Sequence, residues 1–585
     1  MALADFAKIG ACRGPSFSPD GSRVAFIANL SGLPQVWAVG VAGGWPDQVT
    51  ALDDPVSEVR WSPDGAWLAF TAAPGGGMNQ QVYLCHPDGT GIRRLSAGGR
   101  DNNWLGPWSP DGAALAVSSS RRRPDAMDAY LVDVGSGEWR WLAEGRNVVR
   151  VSDLGTEWAA IDRQVSRGDN DLCLVHAKTG EESLLTPHAP PATSRGGTFA
   201  AGAVYFATNI ARDLAALAVG PERRVLAERA DAELEHFALS PDGRWAALVW
   251  NLAGRSELSL LDLSAGGPPT PLPSPGDVVT DARFTPGGWP LVIVTAGATA
   301  PADLWILDSP TASWRQLTRS PHPGVDLGAL VRPELVRFAA HDGLSLSGWL
   351  YRSDGTGGAL VLSFHGGPEG QERPSLNPTY QALLARGISV FAPNVRGSGG
   401  FGKTFVNLDN GALRVNAVRD IAACLDHVAA AGLADSRRIG IMGGSYGGYM
   451  TMAGLVEYPD RFAAGCNLYG VVNFETFFRQ TEPWMAAISK VEYGDPETDL
   501  DMLRALSPIH RLDRVRAPVL VLHGANDTNV PVGEAEQVVA GLRARGVPVE
   551  FILFPDEGHG FQKTVNRIRA AEAVAGWFER YLAPA

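Results

Sequence analysis

Residues 439–450 read Ile-Gly-Ile-Met-Gly443-Gly-Ser445-Tyr-Gly447-Gly-Tyr-Met, an apolar strand-like run that passes through G-x-S-x-G into a helix-like run. Small residues on both sides of Ser445 permit the strained strand-to-helix turn that lifts a serine hydroxyl clear of its backbone. A serine hydroxyl at neutral pH is a weak nucleophile; it needs a hydrogen-bonded base, and that base needs an orienting carboxylate. Three histidines follow Ser445: His510, His523 and His559. His523 closes the apolar run Val519–Leu522 and reads as a local packing or hydrogen-bonding residue. His510, in Ser-Pro-Ile-His510, reads as a helix-edge or loop contact. His559, in Asp556-Glu-Gly-His559-Gly-Phe, follows the last apolar strand in a loop that can carry an imidazole over the serine, and it is the expected base. Asp556 and Glu557 lie too near it in sequence to reach the far ring nitrogen. Asp527, in His523-Gly-Ala-Asn-Asp527-Thr-Asn529, follows the penultimate strand at the same edge and is the expected acid.

Acyl transfer through such a triad also needs donors for the oxyanion. The run Ser363-Phe-His365-Gly-Gly367-Pro368 ends another apolar strand. Its glycines can aim backbone N–H groups at developing charge, with the N–H of Tyr446 as partner, and each such donor lowers the barrier by about 3 to 4 kcal/mol. Gly367 is the expected donor because Pro368 has no N–H.

The elements that must position these groups fall into two patterns. From about Val336, apolar strands (336–340, 345–351, 359–364, 388–392, 438–442, 464–468, 519–523, 549–554) alternate with helical stretches (377–386, 417–431, 447–457, 533–545, 567–581). This predicts a mostly parallel sheet covered on both faces, an α/β-hydrolase domain over 326–585, with 336–351 as an antiparallel edge hairpin. The first half repeats instead. Phe17, Trp61, Trp108 and Leu239 each precede Ser-Pro-Asp-Gly, and Phe284 precedes Thr-Pro-Gly-Gly, in steps of 44, 47, 131 and 45 residues. The long step holds two degenerate copies. A second series of apolar strands, from Val36–Val39 to Leu304–Leu307, counts seven units, and Pro-Asp-Gly is hairpin-turn chemistry. The period predicts a seven-bladed β-propeller over 10–325 rather than two packed β-sandwiches, and makes the repeated serines turn residues. Residues 1–9 are expected to pack on the hydrolase domain.

Composition narrows the function classes. The 68 glycines and 41 prolines exceed the usual share, as a turn-rich fold requires, and a net charge of −13 argues against nucleic acid as partner. Five scattered cysteines without a CxxC pair, Cys12, Cys85, Cys173, Cys424 and Cys466, read as reduced buried residues. The N-terminal residues show neither signal peptide nor anchor, and no apolar run approaches membrane-spanning length. The expectation is a soluble cytoplasmic enzyme without metal or organic cofactor, with short peptides as partners and a homo-oligomer left open.

A seven-unit propeller followed by Gly443-Gly-Ser445-Tyr-Gly-Gly, His365-Gly-Gly-Pro, Asn394-Val-Arg-Gly-Ser-Gly-Gly-Phe-Gly402, Asp527 and Asp556-Glu-Gly-His559 resembles the prolyl oligopeptidase family of serine peptidases over nearly the whole chain. Through its His-Gly-Gly-Pro loop it is most similar to the acylaminoacyl peptidase branch. The resemblance implies hydrolysis of short peptides through an acyl-enzyme, with the propeller capping the site. It also implies a specificity pocket in the stretch after Tyr469-Gly470: Val471, Phe474, Phe477, Trp484, Met485 and Ile488, favouring a bulky apolar residue before the scissile bond. Many relatives carry arginine two residues after the triad aspartate, where this chain has Asn529. Dipeptidyl peptidases have asparagine there but a tyrosine where this chain has His365, and Glu233 with Glu235 is the candidate for their amine-gripping acidic pair. Arg121-Arg-Arg123 is a candidate carboxylate reader beside its plainer role as a solvated loop. Dipeptidyl peptidase, aminopeptidase, carboxypeptidase and esterase activities, and an inert binding scaffold, are the alternatives.

Overall fold

A computed structural model describes residues 3–355 and 358–583. Seven four-stranded antiparallel sheets come from consecutive segments, 12–48, 56–94, 103–143, 148–184, 194–227, 233–272 and 278–316. These are the blades of a seven-bladed propeller. The repeated turn explains itself at atomic level: Ser18 Oγ donates to Asp20 Oδ1 at 2.6 Å, the same carboxylate oxygen accepts the Ser22 N–H, and Ser18 Oγ accepts the Arg23 N–H. Ser62 with Asp64, Ser109 with Asp111, and Ser240 with Asp242 repeat it. The fourth and fifth blades lack the motif. Their inner hairpins turn through Gly155 and through Ala201-Gly202, with Ala201 at φ 46°. First and last blades exchange no strand; the ring closes by packing and by hydrogen bonds such as Arg315 to the Val41 carbonyl at 3.0 Å.

The second domain is built on an eight-stranded sheet. In spatial order its strands are Glu334–Ala339, Ser345–Tyr351, Ile388–Asn394, Ala359–Phe364, Ile439–Gly444, Ala464–Leu468, Val519–Gly524 and Val549–Phe554. The first two pair antiparallel as the edge hairpin, and from Ile388–Asn394 onward every pair is parallel. One face carries helices Arg414–Ala430, Tyr446–Glu457 and Gly533–Arg543, whose Ile421, Met450 and Val538 belong to one core cluster. The other carries Pro378–Leu384 and Thr564–Tyr581, whose Leu383 and Phe578 belong to a second. Phe6 of the short helix Leu3–Ala7, and Ile9 after it, are buried in that second cluster, so the segment before the first blade packs on this domain. The helices Lys403–Val406, Phe474–Gln480, Pro483–Tyr493 and Leu500–Leu506 are additions to the expected pattern. Among the described residues no helix is long and apolar enough to cross a membrane. All five cysteines are free and buried.

The loop after Ile388–Asn394 is anchored by Arg396. Its guanidinium, 3% exposed, meets the fully buried Asp420 twice at 2.9 Å and Asp342 at 2.9 and 3.0 Å. Asp420→Ala removes the inner partner and leaves a buried cation short of charge, so it is expected to lower unfolding stability by about 3 kcal/mol or more. Denaturant titration of the variant checks this; a loss below about 1 kcal/mol contradicts it.

Candidate active site

Ser445 stands between the strand Ile439–Gly444 and the helix Tyr446–Glu457 with φ 57° and ψ −119°, a conformation L-residues seldom occupy. Close packing holds it there. A Cβ on Gly443 would sit 2.6 Å from the Phe364 carbonyl oxygen, and one on Gly447 would collide with that same oxygen. The elbow therefore presses against the end of the strand Ala359–Phe364. Gly366, two residues on, is as near: its Cβ would meet that of Ser445 at 3.3 Å. Glycine spacing thus brings the His365-Gly-Gly loop into contact with the serine. The Tyr446 N–H is the first of its helix and has no intrahelical acceptor.

His559 and Asp527 come from the loops after the last two strands. His559 Nδ1 lies 2.7 Å from Asp527 Oδ2, while Asp527 Oδ1 accepts the N–H groups of Asn529 and Val530, each at 2.9 Å. Burial would push the Asp527 carboxyl up, but the charge of His559 and hydrogen bonds from His523 and His559 outweigh it. Its pKa is held below the usual value, so it is ionised at neutral pH. His523 is fully buried and hydrogen-bonds the Val530 carbonyl at 2.8 Å; His510 faces Glu475 at 3.5 Å. Asp556 pairs with Lys563, and Glu557 accepts the N–H groups of Gln562 and Lys563, so both shape the His559 loop.

Ser445, His559, Gly366 and Gly367 line one cavity of about 940 Å³. Its walls divide by the face of the sheet that backs them. On one side stand Val471, Phe477, Met485, Tyr493, Asn529 and Val530. On the other stand Glu372, Tyr380, Phe561, Arg567, Ala571 and Val574. Of the expected pocket residues, Val471, Met485 and Asn529 are on the first wall, whereas Phe474, Trp484 and Ile488 are on neither. Helical periodicity accounts for the difference. Phe474 turns inward from its helix onto Tyr449, whereas Phe477, one turn on, reaches the cavity. Trp484 and Ile488 share the opposite face of Pro483–Tyr493 and pack on Met127 and Val148 of the propeller, with Trp104 edge-on to Trp484 at 5.0 Å.

Residues beyond the expected set prop the Gly367 loop. Its carbonyl accepts from Tyr493 Oη at 3.2 Å and from Arg167 at 3.4 Å. Arg167, in a propeller hairpin, also pairs with Glu369 at 3.1 Å. No sequence signal marks Arg167, because one arginine in a blade turn has no pattern around it. Behind the loop, the Tyr446 hydroxyl donates to Asp409, and Asp409 and Glu492 flank the fully buried Arg414. Arg121–Arg123 do not reach the site: Arg121 stacks over Trp139, Arg122 pairs with Asp128, and Arg123 with Asp125. Glu235 is taken by Arg373, and neither it nor Glu233, whose carboxyl burial pushes up to about 7, lines the cavity.

Comparison with known proteins agrees with this layout. Residues 374–585 match the model of the Prolyl oligopeptidase family and residues 3–151 that of the TolB beta propeller domain. Dipeptidyl aminopeptidase BIII of Pseudoxanthomonas mexicana is 28% identical over 600 residues, spanning 96% of this chain and 85% of that protein. The acylamino-acid-releasing enzyme of Arabidopsis thaliana is 30% identical over 232 residues, 38% of this chain and 30% of that one. A crystal structure of puromycin hydrolase superimposes with a TM-score of 0.86 at 22% identity, covering 100% of this chain and 96% of that chain.

The elbow packing is open to test. Gly447→Ala drives a methyl group into the Phe364 carbonyl and is expected to destabilise the fold by about 1 to 3 kcal/mol, the usual cost of overpacking. A melting temperature equal to that of the parent protein would show that the two strand ends are not in contact.

Proposed function

We propose that the chain, which belongs to the prolyl oligopeptidase family of serine peptidases, hydrolyses short peptides after a bulky apolar residue, with N-acylated peptides as its first substrate class. The observation that carries this is the 2.7 Å Asp527–His559 pair in a cavity shared with Ser445, the Gly366-Gly367 loop and an apolar wall. Ser445 Oγ attacks the scissile carbonyl while His559 takes its proton, with Asp527 fixing the tautomer and stabilising the imidazolium. The N–H groups of Gly367 and Tyr446 receive the oxyanion. As the C–N bond breaks, His559 returns the proton to the departing amine, and water then cleaves the acyl ester with the same base.

Val471, Phe477, Met485, Tyr493 and Val530 form the seat for the residue preceding the cut, and Asn529 takes the place of the backbone-holding arginine. Glu372 is the one acidic residue on the cavity wall among those described, and it stands on the opposite side, hydrogen-bonded by Tyr380. Arg167 on the apolar side is matched by Glu369. A neutral, acylated amine suits that environment better than an ammonium ion. The second reading, removal of residues from a free amino terminus, is favoured by the dipeptidyl aminopeptidase relative that spans nearly the whole chain. The two domains are joined by hydrogen bonds such as Asn251–Gln371, Asn79–Glu482 and Thr404–Asp213, and a cavity closed over in this way suits short chains rather than folded proteins. Five buried thiols fit a reducing, cytoplasmic setting.

Ser445→Ala is expected to abolish turnover and fluorophosphonate labelling at an unchanged melting temperature, and Asp527→Asn to lower kcat on the order of 10⁴-fold. Unaltered hydrolysis by the serine variant refutes the assignment. Reporter peptides sharing one apolar residue, with acetylated or free amino ends, decide between the two readings. Faster cleavage of the acetylated peptide supports the first; faster cleavage of the free-amino peptide replaces it with the second.

A further inference from the structure

The proton that His559 removes from Ser445 must pass to the leaving amine, so the substrate beyond the scissile bond lies on the histidine's side of the cavity. That side is walled by the chain following His559: Phe561 and the face of Thr564–Tyr581 that bears Arg567 and Ala571. Phe561 and Arg567 line a second cavity as well, about 180 Å³, at the seam with the first propeller blade. Nine of the described residues surround it and none of these is acidic; its polar members are Arg13, Asn29, Gln562 and Arg567.

Neither arginine has a carboxylate partner among the described residues. Arg13 donates to the Val56 carbonyl at 3.4 Å and Arg567 to the Ile9 carbonyl at 3.5 Å, both long contacts to neutral acceptors. Arg13 is exposed and Arg567 half-buried, and no neighbouring carboxylate acts on either guanidinium group. Two other arginines at the domain seam are matched, Arg167 by Glu369 and Arg373 by Glu235. Two cations without a counter-charge in one cavity on the leaving-group side, both still reachable from it, mark a place for an anion.

We propose that Arg13 and Arg567 form a subsite for the terminal α-carboxylate of the leaving peptide, which makes this enzyme selective for substrates whose C-terminus lies a few residues beyond the cut. The subsite rests on the peptidase reading above and adds to it the far end of the substrate. Guanidinium groups suit the task because each presents paired N–H donors to a carboxylate. Glu372, the acidic residue on the main cavity wall, does not oppose an anion: burial pushes its carboxyl up to about 8, so it is mostly uncharged at neutral pH.

The test uses peptides with one acyl part and leaving groups of one, two and three residues, each ending as the free acid or as the carboxamide. The full-length protein is expected to favour the acid in kcat/KM by tenfold or more at one of these lengths. Arg13→Gln with Arg567→Gln is expected to bring that ratio close to one, with Arg567→Lys alone retaining part of it. Should the double variant fail to melt cooperatively, each single variant reads the same ratio. A ratio near one in the parent protein at every length, or a preference that survives the substitutions, overturns the subsite. Failure of the peptidase reading is distinguishable, because neither acid nor amide would then be cleaved and Ser445 would resist the fluorophosphonate.

Discussion

Everything chemical in this molecule depends on two strand ends being closer than side chains allow. Ala359–Phe364 and Ile439–Gly444 are neighbours in the sheet, and both chains leave it at the same edge. Gly443 and Gly447 let the elbow close on the Phe364 carbonyl, and Gly366 lets the next loop touch Ser445. A methyl group at any of the three would push the Ser445 elbow away from the strand end and the Gly366-Gly367 loop. The φ of 57° at Ser445 is the visible strain, held by the packing around it rather than by local preference.

Such an arrangement must be fixed from behind, and the means is a buried charge network. Arg414 lies between Asp409 and Glu492 and stacks under Tyr446 and Tyr493 at 5.0 and 4.7 Å. Burial pushes both carboxyls up and Arg414 opposes it. Buried ion pairs are weak evidence for stability, since desolvation offsets much of their attraction. What this one supplies is direction: Tyr446 is held through Asp409 at the start of its helix, and Tyr493 reaches the Gly367 carbonyl. Arg167 extends the scaffold into the propeller, so the Gly366-Gly367 loop is braced by both domains. The first half of the chain is thereby part of the site and more than a cover.

Much of this was legible in the residues. The 44-residue period counted the blades because four of the seven inner turns close through their own serine and aspartate and the apolar strands mark the other three, and the strand-turn-helix setting of Ser445 was readable because only small residues fit there. All eight strands of the second domain were visible as apolar runs, since a parallel sheet buried on both faces leaves little room for polar residues. The stretch 471–506 was not legible as helices. Read without its 3.6-residue period, it offered Phe474, Trp484 and Ile488 as pocket residues, although they face the core and the propeller. Arg167, Arg13 and Arg567 were also invisible, because what distinguishes them is which partners the fold does or does not bring to them.

The division of the sheet into two faces carries over into the polarity of the cleft. Ser445 sits at the crest of a middle strand, so under the proposed function a peptide laid across it would have its acyl part over one core cluster and its leaving part over the other. The first side is backed by Val471, Phe477 and Tyr493 and offers apolar surface with a neutralised arginine. The second is backed by the helices that pack against the N-terminal segment, and it runs on to the seam where Arg13 and Arg567 meet no counter-charge. Hydrophobic burial dominates on one side and charge on the other. Because the hydrophobic term grows with apolar area and the charge term needs a terminus within reach, the two sides constrain a substrate differently: one in the kind of side chain, the other in the length of chain beyond the cut.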